Sequence, residues 1–211
     1  VVPKELWPLV DIPVIQYIIK EAKDSGIEEI IFVLKPDNKK VLDYLKPCPK
    51  VEKILKERKK EDILDEMKNL QELCENISFS YVFQKKPLGD GHALLQAAKL
   101  IKDEPVICMF GDDIIDSKIP CALQLSNIFK TCQKPVIALS RLAKEKIIHY
   151  GIAGVEKIAN RLYKIKKIIE KPSLEEAPSN LAIIGRHVLT PEVFYYLKKA
   201  KPSKKGEIVL A

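Results

Sequence analysis

The sequence predicts an α/β protein built on a mixed sheet, and three stretches carry that prediction. Residues 81–113, YVFQKKPLGDGHALLQAAKLIKDEPVICMFGDD, read as strand, loop, helix, strand. Apolar runs at 81–83 and 105–110 flank a proline-glycine loop at 87–91 and a segment of helical period at 93–101. That is a βαβ unit, whose crossover needs about a dozen residues. Residues 13–34 give another helix–strand step. By contrast, 150–155 and 162–169 alternate apolar and polar side chains, as antiparallel strands with one solvated face do.

In chain order, the helix over 13–25 has one apolar stripe at 14, 15, 18, 19 and 22, with Pro13 in its first turn and Gly26 as its stop. The strand at 27–34 has a continuous core, IIFVL, which predicts burial on both faces. Residues 37–75 keep a helical apolar period broken by Pro47 and Pro49, predicting two or three surface helices inserted between strands. After the 81–113 unit come a helix over 119–129, a strand over 135–140 and another over 181–184. A last helix is expected to open with Thr190 as N-cap and Pro191 at its first position.

A chain of 211 residues suits one large domain, or one with a small appendage, and 46% hydrophobic residues suffice for its core. No stretch has the length of a spanning helix and no charged-then-apolar leader opens the chain, so a cytoplasmic protein without membrane contact is expected. The first residues, VVPKELWPLVD, read as the middle of something, and KGEIVLA stops as an apolar run begins, so missing termini are expected. Five scattered cysteines without CxxC spacing argue against a disulfide framework or a zinc site. The net charge of +7 comes from lysines interleaved with acids and without aromatics, a solvated helical face suited to small anions rather than nucleic acid.

In open α/β folds ligands bind where parallel strands end, which groups Gln84, the 87–91 loop and Asp112. Asp112 and Asp113 follow a buried strand, so they are either a turn or a ligand for a divalent ion such as Mg²⁺. Gly89 and Gly91 let backbone approach a ligand, and the helix that follows would aim its positive N-terminus at it. LGDGHA is not GxGxxG, because Leu94 stands three after Gly91, which excludes a nicotinamide-dinucleotide fingerprint. His92 has no partner at metal-ligand spacing and is expected to pack or to support a neighbour. Glu170 and Lys171 emerge where a strand meets Pro172, either as a surface ion pair or as a grip on sugar hydroxyls and phosphate. Gly151 is a bulge or close-approach glycine; neither reading wins alone.

Taken together, PKELWPLVDIPVIQY, QKKPLGDGHALL, FGDD, YGIAG, EKPSLEEAPSNLAIIGRHVLTPE and GEI resemble the sugar-nucleotide nucleotidyltransferases, in the branch of bacterial UTP–glucose-1-phosphate uridylyltransferases. The resemblance spans nearly the whole chain. It implies a Rossmann-like three-layer fold with a mostly parallel, mixed central sheet, in a single domain over 1–211 with a helical insertion at 37–75. It implies uridylyl transfer from UTP to glucose 1-phosphate, giving UDP-glucose and pyrophosphate, with Mg²⁺ and no covalent intermediate. Lys4 would hold nucleotide phosphates, Gln84 and Gly89 would read uracil, and Asp112 would bind Mg²⁺. Gly151, Glu170 and Lys171 would cradle glucose 1-phosphate, and Asn180 would order the sugar-side loop. A homo-oligomer, dimer or tetramer, is also implied. The alternatives are a related enzyme using another nucleotide or sugar, such as dTTP, and a non-catalytic binding domain. Three departures stand out: no GxGTR-type loop precedes the PKE motif, no second metal-binding aspartate follows GEI, and Ile12 replaces the lysine of the DKP triplet.

Overall fold

The computed structural model describes residues 2–203 and 206–210. The chain opens with a 3₁₀ turn, Lys4–Leu6, and a small antiparallel hairpin of β1 (Pro8–Leu9) and β2 (Ile12–Pro13). Helix α1 (Val14–Asp24) buries Ile15, Ile18, Ile19 and Ala22. Each buried isoleucine contributes roughly 1.5–3 kcal/mol. The helix ends in a Schellman motif, in which Gly26 N donates to Lys23 O and Ile27 N to Ala22 O, with Gly26 at φ +78°.

Strand β3 (Glu29–Leu34) alternates in depth: Phe32 and Leu34 are buried, and Ile31 and Val33 only half-buried. The equal burial expected from IIFVL therefore does not occur, because one face carries the main core and the other is more thinly covered. Across 37–75 come a 3₁₀ turn at Pro36–Asn38, α2 (Lys40–Tyr44), α3 (Pro49–Glu57) and α4 (Glu61–Cys74). α3 buries nothing, and α2 and α4 turn one narrow apolar stripe inward, Val41 in α2 and Leu64 and Leu70 in α4. Val41 of α2, Leu45 after it and Leu70 of α4 join Ile15, Ile19, Phe32 and Leu34 in one core cluster.

Strand β4 (Ser78–Phe83) pairs parallel with β3 over all six residues. Helix α5 (Asp90–Ala97), β5 (Val106–Met109), α6 (Cys121–Cys132), β6 (Val136–Arg141), a 3₁₀ segment at Lys144–His149, β7 (Gly151–Ala159), β8 (Leu162–Glu170), β9 (Leu181–Leu189) and α7 (Glu192–Lys199) complete the order. β9 runs well past the 181–184 expected and organises the second sheet. It pairs antiparallel with β5 at 186–189, with β6 at 181–188 and with β7 at Ala182. β5 and β7 therefore share one edge of β9 and β6 holds the other, which leaves β5 and β6 parallel to each other. β7 and β8 form an antiparallel ribbon. β9 also feeds three apolar clusters, through Leu189, Val188 and Ala182.

The last helix begins at Glu192 rather than Pro191 and has no side-chain cap. The Glu192 carboxyl is held below its usual range, chiefly by the Thr190 side chain and then by its own backbone N–H. All five cysteines are free. Among the described residues, no helix is long and apolar enough to cross a membrane.

Candidate functional site

Gln84 leaves β4 with its backbone still in register, its N–H donating to Leu34 O at 2.8 Å. Its side chain turns into the following loop, where Nε2 donates to Gly89 O at 2.9 Å and lies 2.9 Å from His92 Nδ1. His92 is thus a supporting residue. The loop is held by the chain's last described segment. Ile208 N donates to Leu88 O at 2.8 Å, Gly91 N to Ile208 O at 3.0 Å, and Leu210 N to Asp90 Oδ1 at 3.0 Å. Gly89 sits at φ +99°, and a Cβ there would lie 2.4 Å from Ile208 O. The close approach foreseen for Gly89 and Gly91 is therefore made by the protein's own strand-like segment. Because Ile208 O also faces His92 N at 3.4 Å, the first amides of α5 are already engaged, and the expected anion grip by this helix end is not free.

The adjacent aspartates divide their roles. Asp113 is a structural turn residue: its Oδ2 accepts from Gly185 N at 2.7 Å and its N donates to Phe110 O. Gly185 must be glycine, since a Cβ would meet Phe110 Cβ at 2.5 Å and Asp113 Oδ2 at 2.7 Å. Asp112 faces out, its side chain 52% exposed, and Oδ2 accepts from Lys4 Nζ at 2.5 Å. That contact joins the PKE and GDD motifs across 108 residues of sequence. Ile12 lies in the neighbouring hairpin, paired with Leu9.

Sequence reasoning missed two residues behind this turn. Arg186, fully buried in β9, donates to Phe110 O at 3.3 Å, Gly185 O at 2.7 Å and Asp113 O at 2.8 Å, and so brackets the Gly111-Asp112 turn. Its charge is met by Glu21 of α1, which also accepts from Ala122 N at 3.0 Å. The only signals were an arginine in the apolar run AIIGRHVL and a glutamate beside a helix's apolar stripe. Glu5 was missed as well; its Oε2 is buried without a partner, and its Cγ backs Gly111.

A second cluster forms where β7 begins and β8 ends. Gly151 pairs with Glu170, whose Oε2 lies 3.0 Å from where a Gly151 Cβ would be. No bulge falls at Gly151, since the register shifts of this ribbon lie between Gly154 and Val155 and between Lys157 and Ala159. Lys171 follows at φ +47°, an uncommon conformation for a lysine, with its N bonded to Tyr150 O. Its Nζ is 3.8 Å from Glu170 Oε1, and both side chains are about half exposed, so the pair adds little stability and stays available. Asn180 bonds to the end of β6 instead: Oδ1 accepts from Arg141 Nη1 at 3.4 Å, and its O accepts from Leu142 N. The two clusters hang on one face of β9. Gly185 anchors Asp113, while Ile183 is in van der Waals reach of Gly151. Two positions along a strand are roughly 7 Å apart.

Among the described residues no three His, Cys, Asp or Glu side chains group as a metal cage. A half-exposed carboxylate bonded to a movable ammonium fits an ion that draws its other ligands from phosphates and water, as Mg²⁺ does. Two hollows lie elsewhere, one of about 370 Å³ beside Gly154, Lys167 and Pro178, the other of about 330 Å³ beside Ile101, Phe194 and Tyr195.

The model of the nucleotidyl transferase family matches residues 1–210. The chain is 38% identical over 208 residues to a UTP–glucose-1-phosphate uridylyltransferase of Bacillus subtilis, covering 99% of this chain and 70% of the relative. A UTP–glucose-1-phosphate uridylyltransferase 1 of Staphylococcus saprophyticus is also 38% identical, covering 99% of this chain and 71% of its own. Among solved structures, a UDP-glucose pyrophosphorylase complexed with UDP-glucose superposes with a TM-score of 0.86 at 37% identity, over 100% of this chain and 76% of that one. A UTP-bound UGPase from Acinetobacter baumannii gives 0.87 at 30% identity, over 99% and 72%.

Proposed function

This chain belongs to the nucleotidyl transferase family, and from that premise we propose that it transfers a uridylyl group from UTP to glucose 1-phosphate, releasing pyrophosphate. The observation that carries the reading to particular residues is the contact of Lys4 Nζ with Asp112 Oδ2, which sets a mobile cation beside an outward carboxylate at the strand ends. Gln84 and Gly89 form the base end, and Gly151, Glu170 and Lys171 the sugar-phosphate end.

A phosphate oxygen of glucose 1-phosphate attacks the α-phosphorus of UTP as its bond to the bridging oxygen breaks. The attacking oxygen is already ionised, so no proton need be removed and no protein nucleophile is required. The protein contributes positioning and charge neutralisation. Lys171 holds the incoming phosphate while Glu170 accepts from sugar hydroxyls. Lys4 leaves Asp112 for the triphosphate and offsets charge on the departing pyrophosphate. Asp112 would hold Mg²⁺, which when bound neutralises phosphate oxygens.

The test is pyrophosphate release from a panel of UTP, dTTP, CTP and ATP with glucose 1-phosphate, with Mg²⁺ and with EDTA. UTP-dependent, EDTA-sensitive formation of UDP-glucose is expected. Faster turnover with dTTP would move the protein to another branch of the family, and binding of UTP without turnover would make it a binding domain.

A further inference from the structure

The Gln84 amide has two ends, and only one faces outward. Gly89 O is a pure acceptor, so the atom 2.9 Å from it must be the NH₂ group. The second hydrogen of that NH₂ points to His92 Nδ1, also at 2.9 Å. Nδ1 must then accept, which makes His92 neutral with its hydrogen on Nε2. The Gln96 NH₂ group competes for this ring: its Nε2 donates to His92 O and lies 3.2 Å from the ring Nε2, but the closer approach of Gln84 to Nδ1, 2.9 Å, assigns the single acceptor to Nδ1. Both Gln84 donors are thereby consumed inside the loop. Its Oε1 takes no hydrogen bond among the described residues and is not among the buried unpartnered oxygens.

We infer that His92 is a positioning residue for base specificity: with Gly89 O it locks the Gln84 amide so that only a carbonyl oxygen is offered to the nucleotide. The inference rests on the proposal that Gln84 reads the base. Uracil presents an N3–H donor to that oxygen. Cytosine presents the N3 lone pair, so two acceptors face each other and a desolvated acceptor goes unpaired. Turning the amide over would serve cytosine, but it would set Oε1 against Gly89 O, and against His92 Nδ1 as long as the ring hydrogen stays on Nε2. Thymine keeps the N3–H, so the lock rejects CTP and leaves UTP and dTTP undistinguished.

The experiment measures kcat/KM for UTP, CTP and dTTP in the natural protein and in His92→Ala, His92→Asn and Gln84→Ala. His92→Ala is expected to lower the UTP-over-CTP ratio by roughly 10-fold or more, the range set by one unpaired buried acceptor, with the UTP-over-dTTP ratio unmoved. Asparagine sets Oδ1 near the place of histidine Nδ1, so His92→Asn is expected to restore most of the ratio. Ratios between substrates are insensitive to partial unfolding, so loss of folded enzyme alone does not mimic the effect. An unchanged ratio in His92→Ala, with a reduced one in Gln84→Ala, overturns the lock. Equal loss in His92→Ala and His92→Asn also overturns it, since His92 would then act by packing alone. An unchanged ratio in Gln84→Ala would remove Gln84 from base reading itself, and the lock falls with it.

Discussion

Arg186 and Glu21 meet inside the protein as a two-point pair, with Nε 3.1 Å from both carboxylate oxygens and Nη2 2.8 Å from Oε2. Arginine gives three further bonds to carbonyls of Phe110, Asp113 and Gly185, and glutamate caps α6 through Ala122 N. A single interaction therefore fixes α1, α6, β9 and the turn that presents Asp112. Such pairs add little net stability against a well-packed apolar replacement, yet breaking one costs much.

Removing one partner strands the other in the interior. Glu21→Ala is expected to lower unfolding free energy by about 3–5 kcal/mol, read from urea denaturation with an unchanged m-value. The double replacement Glu21→Leu/Arg186→Met should recover much of that loss and little of the turnover, because the carbonyls around Asp112 still lack their donor. Recovery of both together would reduce the pair to a stability element.

The two neighbouring aspartates should separate under mutation. Asp112→Ala loses an exposed contact worth at most about 1 kcal/mol, yet turnover should fall by orders of magnitude in a protein of nearly normal melting temperature. Asp113→Ala leaves Gly185 N unpaired and should cost about 1–3 kcal/mol. Near-normal UDP-glucose synthesis by the Asp112 variant would remove it from the metal role.

Gly89 tests the brace between the 88–91 loop and the segment at 206–210. Its φ is +99° and a Cβ added there would stand 2.4 Å from Ile208 O, so alanine is strained twice over. Gly89→Ala should cost about 1–3 kcal/mol and raise KM for UTP, because both Gln84 Nε2 and Ile208 lose their seat. Gly26→Ala is the control: φ is +78° but nothing lies within 4 Å, so it should lose about 1 kcal/mol with KM unchanged.

These residues also mark where the sequence was readable. Gln84 and Asp112 were legible because polar residues after an apolar run mark the end of a buried strand, and the 87–91 loop because of its proline and glycines. α5 was expected from 93 but starts at Asp90, because Asp90 Oδ1 and Ile208 O satisfy amides that local sequence leaves open. β9 was cut short at 184 because Gly185, Arg186 and His187 read as polar punctuation. Their burial depends on Glu21, 165 residues away from Arg186, and on Phe110 stacked 5.7 Å from the His187 ring. Neither partner is visible in a local window. The same holds for β9 running antiparallel between β5 and β6, a matter of long-range pairing.

His187 gives a prediction with a definite sign. It is 2% exposed, both ring nitrogens are buried without hydrogen-bond partners, and desolvation holds its pKa below the usual value of 6.5. Asp90, the Ile184 backbone and Asp113 pull the pKa up, and Arg186 pushes it down, but burial outweighs them. The folded state therefore binds the proton less readily than the unfolded chain. Stability is fully present above the unfolded pKa and is lost as pH falls below about 6.5, with a slope of up to about 1.4 kcal/mol per pH unit until the folded pKa is reached. His187→Phe removes the group, retains the stacking on Phe110 and leaves no orphaned nitrogen. Urea midpoints between pH 7.5 and 5 should thus decline more shallowly in the variant than in the natural protein. Parallel declines would assign the acid sensitivity to other groups.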